Sequence, residues 1–395
     1  MHLVLRNKTL TASPSQQDWK TAWDLRSDTI YLNHGSFGPS PRSVIQARNQ
    51  WQEEMESQPM DFFVRRFPEA LLATRQRLAQ FLGTKAEHLI LVENSTQAMN
   101  VVANGFALQA NDQVLLTDHE YGAVRRIWES RCQQTAAEVS TVRLPALFES
   151  SQEVVDAVFA ACTDRTRLIV ISHITSPTAV TLPVQEICQR AQQEGVQVCV
   201  DGPHAVAQLP LNLDQIPCDY YCASCHKWLC APFGTGFLYA AAEHQARLGP
   251  LTLSWGQLPP DEVSHWSDEF LWSGTRDPSA YLAIPAAIDF MESVGLENFQ
   301  QQGHALAQYA RQQLVDLTGQ QPLVADDPGW YGCMAQHPLP DGDARSLQNS
   351  LWEQYSIEVP IVEWNERRFV RVSCHLYNDR QQVDQLIVAL KELLP

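Results

Sequence analysis

Lysine is scarce in this chain. Of 395 residues only Lys8, Lys20, Lys85, Lys227 and Lys391 are lysine, and basic residues are outnumbered 28 to 45 by acidic ones, for a net charge of −17. That acidic balance argues against a nucleic-acid binder and against a protein held on an anionic membrane. No apolar run is long enough to span a bilayer, and Met1 to Leu10 is too short and polar for a secretion signal. The expectation is a soluble, cytoplasmic protein. Internal repeats and low-complexity tracts are also missing. Ten cysteines are present, but Cys222-Ala223-Ser224-Cys225 has no second pair at zinc-ligand spacing, so no metal site is expected. On a strand, Cys222 and Cys225 point to opposite faces, which suits neither chelation nor a redox pair. They read as small core residues in a reducing compartment.

What is present is ordinary globular material, 45% apolar and 18% charged. The length exceeds what one core fills and implies two or three domains. Residues 1–30 read as an extension with a short helix around 16–25. Tyr31 and Leu32 then enter a Gly/Pro-rich loop, Asn33-His34-Gly35-Ser36-Phe37-Gly38, which either lines a site or simply turns. Helical spacing covers Ser43 to Met55 and Pro68 to Leu82. From residue 89 short apolar strands alternate with helices. Strands are expected at Leu89 to Val92, Val114 to Leu116, Val139 to Leu144, Leu168 to Ile171, Val196 to Val200, Tyr220 to Ala223 and Gly236 to Ala240. Intervening helices follow Asn94, Gly122, Ser151 and Leu182. This is the signature of an α/β domain: a mostly parallel sheet with helices on both faces. It is expected over 31–279. Beyond about 250 the alternation stops, in a Trp- and Pro-containing loop from Leu251 to Phe270. A smaller α+β C-terminal domain is expected over 280–395, with a helix near Ala280 to Ser293, a strand Phe369 to Ser373 and a last helix Arg380 to Leu394.

In open α/β sheets ligands sit beyond the carboxyl ends of the strands. Every polar cluster of the first domain falls at such an end. Lys227 follows the strand Tyr220 to Ala223, between aromatic and thiol residues, where loss of water lowers its pKa. A neutral amine condenses with carbonyls; the plainer reading is a lysine snorkelling from a strand end. Asp201 ends the strand before it. An acid opposite a buried lysine fits a pyridoxal phosphate site, where the carboxylate keeps the ring nitrogen protonated. Taken alone, Asp201 is as readily a cap. Ser95 and Thr96 open a helix and offer N–H groups and hydroxyls to a phosphate, or act simply as its cap. Ser224 and His226, on one strand face beside Lys227, add donors.

The segments Asn33 to Gly38, Asn94-Ser95-Thr96, Asp118-His119-Glu120-Tyr121, Asp201-Gly202-x-His204, Ser224-x-His226-Lys227, Gly274-Thr275 and Arg371-x-Ser373 with Tyr377-Asn378 occur in one order from 31 to 378. In that combination the chain resembles the fold-type I pyridoxal-phosphate enzymes of the class V aminotransferase group, especially their isopenicillin N epimerase-like branch. The resemblance implies a cofactor, pyridoxal 5'-phosphate, bound to Lys227 as a Schiff base. Lys227 would move the Cα proton, and Asp201 would pair with the ring nitrogen. It places His204 near the ring's phenolic oxygen, with Ser176 as a candidate neighbour, and Ser95, Thr96, Ser224 and His226 on the phosphate. It puts His119 or Tyr121 over the ring, and Arg371 on the substrate carboxylate with Asn33 and His34 nearby. Thr275 would reach the phosphate of a second subunit, which implies a homodimer. Pro203 departs from the family, which more often has a small residue before the ring-side His.

The cofactor permits several reactions at Cα and Cβ of an amino acid. Desulfurases of this group use a loop cysteine ahead of the carboxylate-binding Arg, and Ile357 to Arg368 contains none. Epimerisation, or C–S cleavage of a cysteine conjugate with Tyr121 as a second acid, is therefore expected ahead of a cysteine desulfurase or a class V aminotransferase. A catalytically silent cofactor-fold protein and a thiol protein are the non-enzyme alternatives. The Lys227–Asp201 pair and the strand geometry of the two cysteines speak against them.

Overall fold

A computed structural model describes residues 19–256 and 265–395. Lys8, the segment Met1 to Leu10, the first part of the expected 16–25 helix and residues 257–264 of the expected loop lie outside the described residues. Within them, Trp19–Ala22 forms a single 3-10 turn.

Strand β1 is Ile30–Tyr31, and the large sheet is built from β2 (Leu89–Val92), β3 (Gln113–Thr117), β4 (Glu138–Val142), β5 (Thr166–Ser172), β6 (Gln197–Asp201), β7 (Tyr220–Ser224) and β8 (Gly236–Ala240). Its order is β2-β8-β7-β6-β5-β3-β4. Only β8 runs antiparallel, to both β2 and β7. Strands β2, β3, β5, β6 and β7 therefore end at the same edge of the sheet.

The strands read as apolar runs because both faces are covered. Tyr221, Ala223 and Cys225 pack on one face with Ile187 and Cys188 of the helix Val184–Glu194, and with Val154 and Val158 of Ser151–Ala160. Tyr220 and Cys222 pack on the other with Met99 and Val102 of Ser95–Gly105 and Trp128 of Gly122–Thr135. The period of two thus separates Cys222 from Cys225, as strand geometry requires.

The second unit holds β9 (Met334–Pro338), β10 (Ile357–Glu358), β11 (Ile361–Trp364) and β12 (Arg367–Ser373). β11, β12 and β9 form an antiparallel sheet. Val370 and Val372 pack there with Ala307 and Leu314 of the helix Leu296–Thr318 and Leu386 of Arg380–Leu393. Gly295, at φ 82°, turns the chain between Ile284–Val294 and that 23-residue helix. The early segment returns to this unit: β1 pairs with β10, and Asn33 bridges to Ser373. The loop 33–38 is thereby laid against the edge where the large sheet's strands end.

One close approach sets the shape of that edge. Gly202 follows Asp201 and donates its N–H to the Cys222 carbonyl at 2.8 Å. A Cβ there would lie 2.1 to 2.2 Å from the Tyr221 ring and hydroxyl, and that hydroxyl bonds His173 Nδ1 at 2.8 Å. Gly202→Ala should therefore overpack the site floor and cost roughly 1–3 kcal/mol, read as a lowered urea midpoint. An unchanged midpoint would show that Tyr221 yields freely.

Candidate active site

The shared edge opens into a cavity of about 890 Å³. Ser95, Thr96, Tyr121, Ser176, Asp201, His204, Ser224, His226, Lys227 and Arg371 line it, together with Ser36, Phe37, Ile174, Pro203 and Phe233. Seven segments distant in sequence converge on one hollow because five parallel strand ends, the 33–38 loop and β12 meet there.

The amine of Lys227 lies 3.1 Å from His204 Nε2, and the Trp228 indole N–H donates to His204 Nδ1 at 3.2 Å. Burial drives His204 well below its ordinary pKa, with Lys227 and Arg371 pushing the same way, so its ring is neutral. A neutral ring that accepts at Nδ1 carries its proton on Nε2. That N–H then points at Lys227, whose nitrogen must accept. The electrostatics agree: burial lowers Lys227 to about 8, against the Asp201 charge and with that of Arg371. The lowered value gives Lys227 a sizeable neutral minority at neutral pH, the form to which the His204 N–H can donate, and Trp228 sets the tautomer that offers it.

Asp201 sits at the end of β6, and its Oδ1 is buried with no hydrogen-bond partner. Burial raises its pKa to about 7, helped by the Glu120 charge and opposed by Lys227. Glu120 is itself buried, accepting from Thr117 Oγ1 (2.7 Å) and Ser172 Oγ (2.6 Å). An orphaned buried carboxyl oxygen, on a residue that lines the cavity, calls for a donor. The N–H of a protonated pyridine ring is one.

A phosphate fits at the helix Ser95–Gly105. Asn94 caps it, Oδ1 accepting from Gln97 N–H at 2.9 Å, while Ser95 N–H donates to Ser224 Oγ at 3.0 Å. These contacts hold Ser224 Oγ at the helix start, where Ser95 and Thr96 line the cavity. His226 donates from Nδ1 to the Thr235 carbonyl at 3.2 Å, which leaves Nε2 for the cavity it lines.

Arg371 is buried on β12. It donates to the Ser176 carbonyl (2.5 Å), Ser176 Oγ (3.3 Å) and Ser36 Oγ (2.7 Å), while its Nε is buried and unpartnered. Burial lowers it to about 10, with Tyr121 opposing, so it remains a cation at neutral pH. A carboxylate is the ligand such a group accepts.

Other residues singled out from the sequence are not brought to this cavity. His119 is wholly buried, bonded to Thr178 Oγ1 (2.7 Å) and packed 4.3 Å from the Trp364 ring, whereas Tyr121 is half exposed on the cavity wall. His34 bonds the Tyr377 hydroxyl (2.8 Å) and the Lys227 carbonyl (3.0 Å), so it holds the lysine's backbone and does not face a substrate. Asn33 gives its amide to Glu358 (3.0 Å) and lines an adjoining cavity. Thr275 lies in a separate hollow with Glu93 and Gln97. Ser36, Trp228 and Glu120 carry roles the sequence reading did not assign. Glu120 stood in a quoted segment, but nothing in its neighbours marks it as buried.

None of the ten cysteines lines the cavity. Cys333 and Cys374 are buried, and burial raises both thiols, Cys374 to about 12. His34, Cys230 and His375 cluster behind Lys227. The two imidazoles are stacked, centroids 4.0 Å apart and planes 20° apart. One ion cannot lie in both ring planes, so the cluster serves as packing.

A family model, Aminotransferase class-V, matches residues 30–386. The chain belongs to that family. It is similar to an isopenicillin N epimerase of Amycolatopsis lactamdurans, 39% identical over 376 residues, covering 92% of this chain and 94% of the relative. An L-cysteine desulfhydrase of Arabidopsis thaliana is 27% identical over 405 residues, covering 92% and 87%. Among solved structures, the cystine C–S lyase C-DES with its product cysteine persulfide superposes at a TM-score of 0.81 with 20% identity, over 93% of this chain and 99% of that one. The last likeness shows the fold. This class-V chain is a pyridoxal 5'-phosphate enzyme of fold type I, and the donors just described fit that cofactor.

The Asp201 geometry predicts a conflict between function and stability. Its folded pKa, about 7 against an ordinary 3.8, means that the folded state binds this proton more tightly. The stabilisation is full below the unfolded value and is lost as pH rises through 7. In cofactor-free protein, Asp201→Asn escapes that loss, and its stability gain over wild type should be about 2–3 kcal/mol larger at pH 8 than at pH 5. An equal difference at both pH values would show that the carboxyl has a partner.

Proposed function

We propose that this enzyme removes and returns the Cα proton of an α-amino acid, acting as an epimerase of the isopenicillin N epimerase-like branch. The observation that carries this is the company Lys227 keeps: an amine of lowered pKa, a buried guanidinium, a phenol and no thiol share one cavity.

The cofactor, when bound, supplies an electron sink that acidifies the substrate's Cα–H. Arg371 takes the α-carboxylate with its unpartnered Nε–H, and Ser36 and Ser176 hold the guanidinium in place. Asp201 keeps its proton relationship with the ring nitrogen, tuned by Glu120. The Lys227 amine removes the Cα proton, and the Nε2–H of His204 steadies that amine in its accepting form. Tyr121 returns a proton to the opposite face. Inversion needs two such groups; breaking a Cβ–S bond needs only the first. A substrate with a sulfur leaving group on Cβ is therefore cleaved, with uptake of one water, to the thiol, pyruvate and ammonia, the second reading that the 27% identical desulfhydrase favours.

The working assembly in this proposal is a homodimer in the cytoplasm. Thr275 lies away from its own protomer's cofactor cavity, free to serve a partner's, and Leu253 and Trp255 stand exposed in the 251–256 segment. Among the described residues no helix is long and apolar enough to cross a membrane.

In D2O, Tyr121→Phe should keep Cα–H exchange and elimination while inversion falls by roughly 10²–10⁴, the usual worth of a positioned acid. Inversion at the wild-type rate would assign the second proton to another group. Cys333→Ser and Cys374→Ser should leave turnover largely intact. Alanine formed from L-cysteine, and lost in either variant, would restore a desulfurase.

A further inference from the structure

Tyr121 is half exposed, and among the described residues nothing bonds its hydroxyl. It caps the helix Gly122–Thr135 through extended backbone, at φ −61° and ψ 139°. A general acid acts only within hydrogen-bond reach of the atom it serves. The place of this phenol is therefore set by the turn that carries it, residues 117–121, and by whatever holds that turn.

Within the large domain, the Asp118 N–H donates to the Val142 carbonyl (3.0 Å), and Asp118 Oδ1 accepts from the Leu144 N–H (3.1 Å). The other grip on the turn comes from the second unit. The Trp364 indole N–H donates to the Asp118 carbonyl at 2.9 Å, and the Asn365 amide donates to Asp118 Oδ2 at 3.2 Å. The Trp364 ring lies 4.3 Å from that of His119, whose Nδ1 bonds Thr178 Oγ1 at 2.7 Å. These gripping residues form the tip of the β11–β12 hairpin. Trp364 pairs with Arg367 across Asn365 and Glu366, both left-handed at φ 47° and 60°. The same hairpin carries Arg371 on β12, which donates to the Ser176 carbonyl, in the segment that also holds Thr178. Arg371 and Tyr121 act on each other electrostatically across the cavity that both line. One hairpin thus grips the phenol's turn at its tip and supplies the carboxylate site from its strand.

We propose that Trp364 is a positioning residue for Tyr121. Its N–H on the Asp118 carbonyl and its ring on His119 lock the 117–121 turn to the hairpin that bears Arg371. The phenol thereby keeps a fixed place relative to the substrate carboxylate. Inversion, which needs the phenol, depends on this lock; proton removal by Lys227 does not. The proposal rests on the role given to Tyr121 above, and its test separates the two.

The test uses holoenzyme carrying Trp364→Phe, which keeps a ring against His119 and removes the donor to Asp118. In protein labelled with 3-fluorotyrosine, the fluorine NMR resonance of Tyr121 is recognised by its loss in Tyr121→Phe. That resonance should shift in Trp364→Phe, and an unmoved one overturns the proposal. With S-methyl-L-cysteine in D2O, Cα–H exchange and pyruvate release should stay near wild type in Trp364→Phe. Formation of the D-enantiomer should fall about tenfold or more, since slight misplacement of a reacting group costs rate on that scale. In a Tyr121→Phe background the same change should slow inversion no further. Unchanged inversion in Trp364→Phe overturns the proposal. Equal falls in exchange and inversion, the mark of a merely structural residue, also overturn it, as does further loss in the double variant. Failure of the epimerase reading shows separately, as no exchange from wild type or as wild-type inversion in Tyr121→Phe. The fluorine resonance then still reports whether Trp364 places the phenol.

Discussion

The site depends on an amine that has lost its water. An ordinary lysine, with its pKa near 10.5, is neutral in about one molecule in a thousand at pH 7.5; with a pKa of about 8 the share is roughly a quarter. Burial alone would leave such an amine wherever the core closed over it. Here the accepting direction is specified as well, by a relay from the Trp228 indole through His204 to Nζ. The backbone of Lys227 is pinned from behind by His34. Gly38 completes the fit, since a Cβ there would lie 2.7 Å from both the Lys227 carbonyl and His34 Nε2. The loop 33–38 is glycine-rich because it must lie directly on the lysine's turn.

Charge balance follows from that constraint. Lys227, Arg371 and Asp201 share one desolvated cavity; Asp201 and Lys227 shift each other, and Arg371 lowers Lys227 further. Glu120 sits one layer behind, accepting from two hydroxyls and a backbone N–H, and raises Asp201 further. The carboxyl that must meet a ring nitrogen is thus held near the point where it shares a proton. That arrangement costs stability in the empty protein, a trade common at functional sites.

The large sheet was legible because buried parallel strands are short unbroken apolar runs that stop at polar clusters. Asp201, Ser224 and Lys227 each stand just where such a run ends. The C-terminal unit was less legible. Its strand β9 contains Gln336 and His337, both buried, so no apolar run marks it. The pairing of β1 with β10 spans more than 300 residues, and no local pattern encodes it. Within the site, the sequence left His119 and Tyr121 open, because both occupy one short turn after β3. Packing separates them: Trp364 of β11 and Thr178 bury His119 and leave Tyr121 on the wall. The roles of Trp228 and Ser36 were not legible because they are contacts to His204 and Arg371, made across the fold. The N-terminal loop's polar residues divide likewise, Ser36 facing the cofactor cavity while His34 turns inward and Asn33 faces the neighbouring hollow.

The central claim is that one desolvated lysine among five carries the cofactor. Borohydride reduction of the purified protein followed by peptide mass mapping tests it directly. The account predicts a phosphopyridoxyl mass on the peptide containing Lys227, and none on this peptide in Lys227→Ala, which should still fold. Modification at Lys85, which is exposed beside Glu87, with Lys227 untouched, would contradict it.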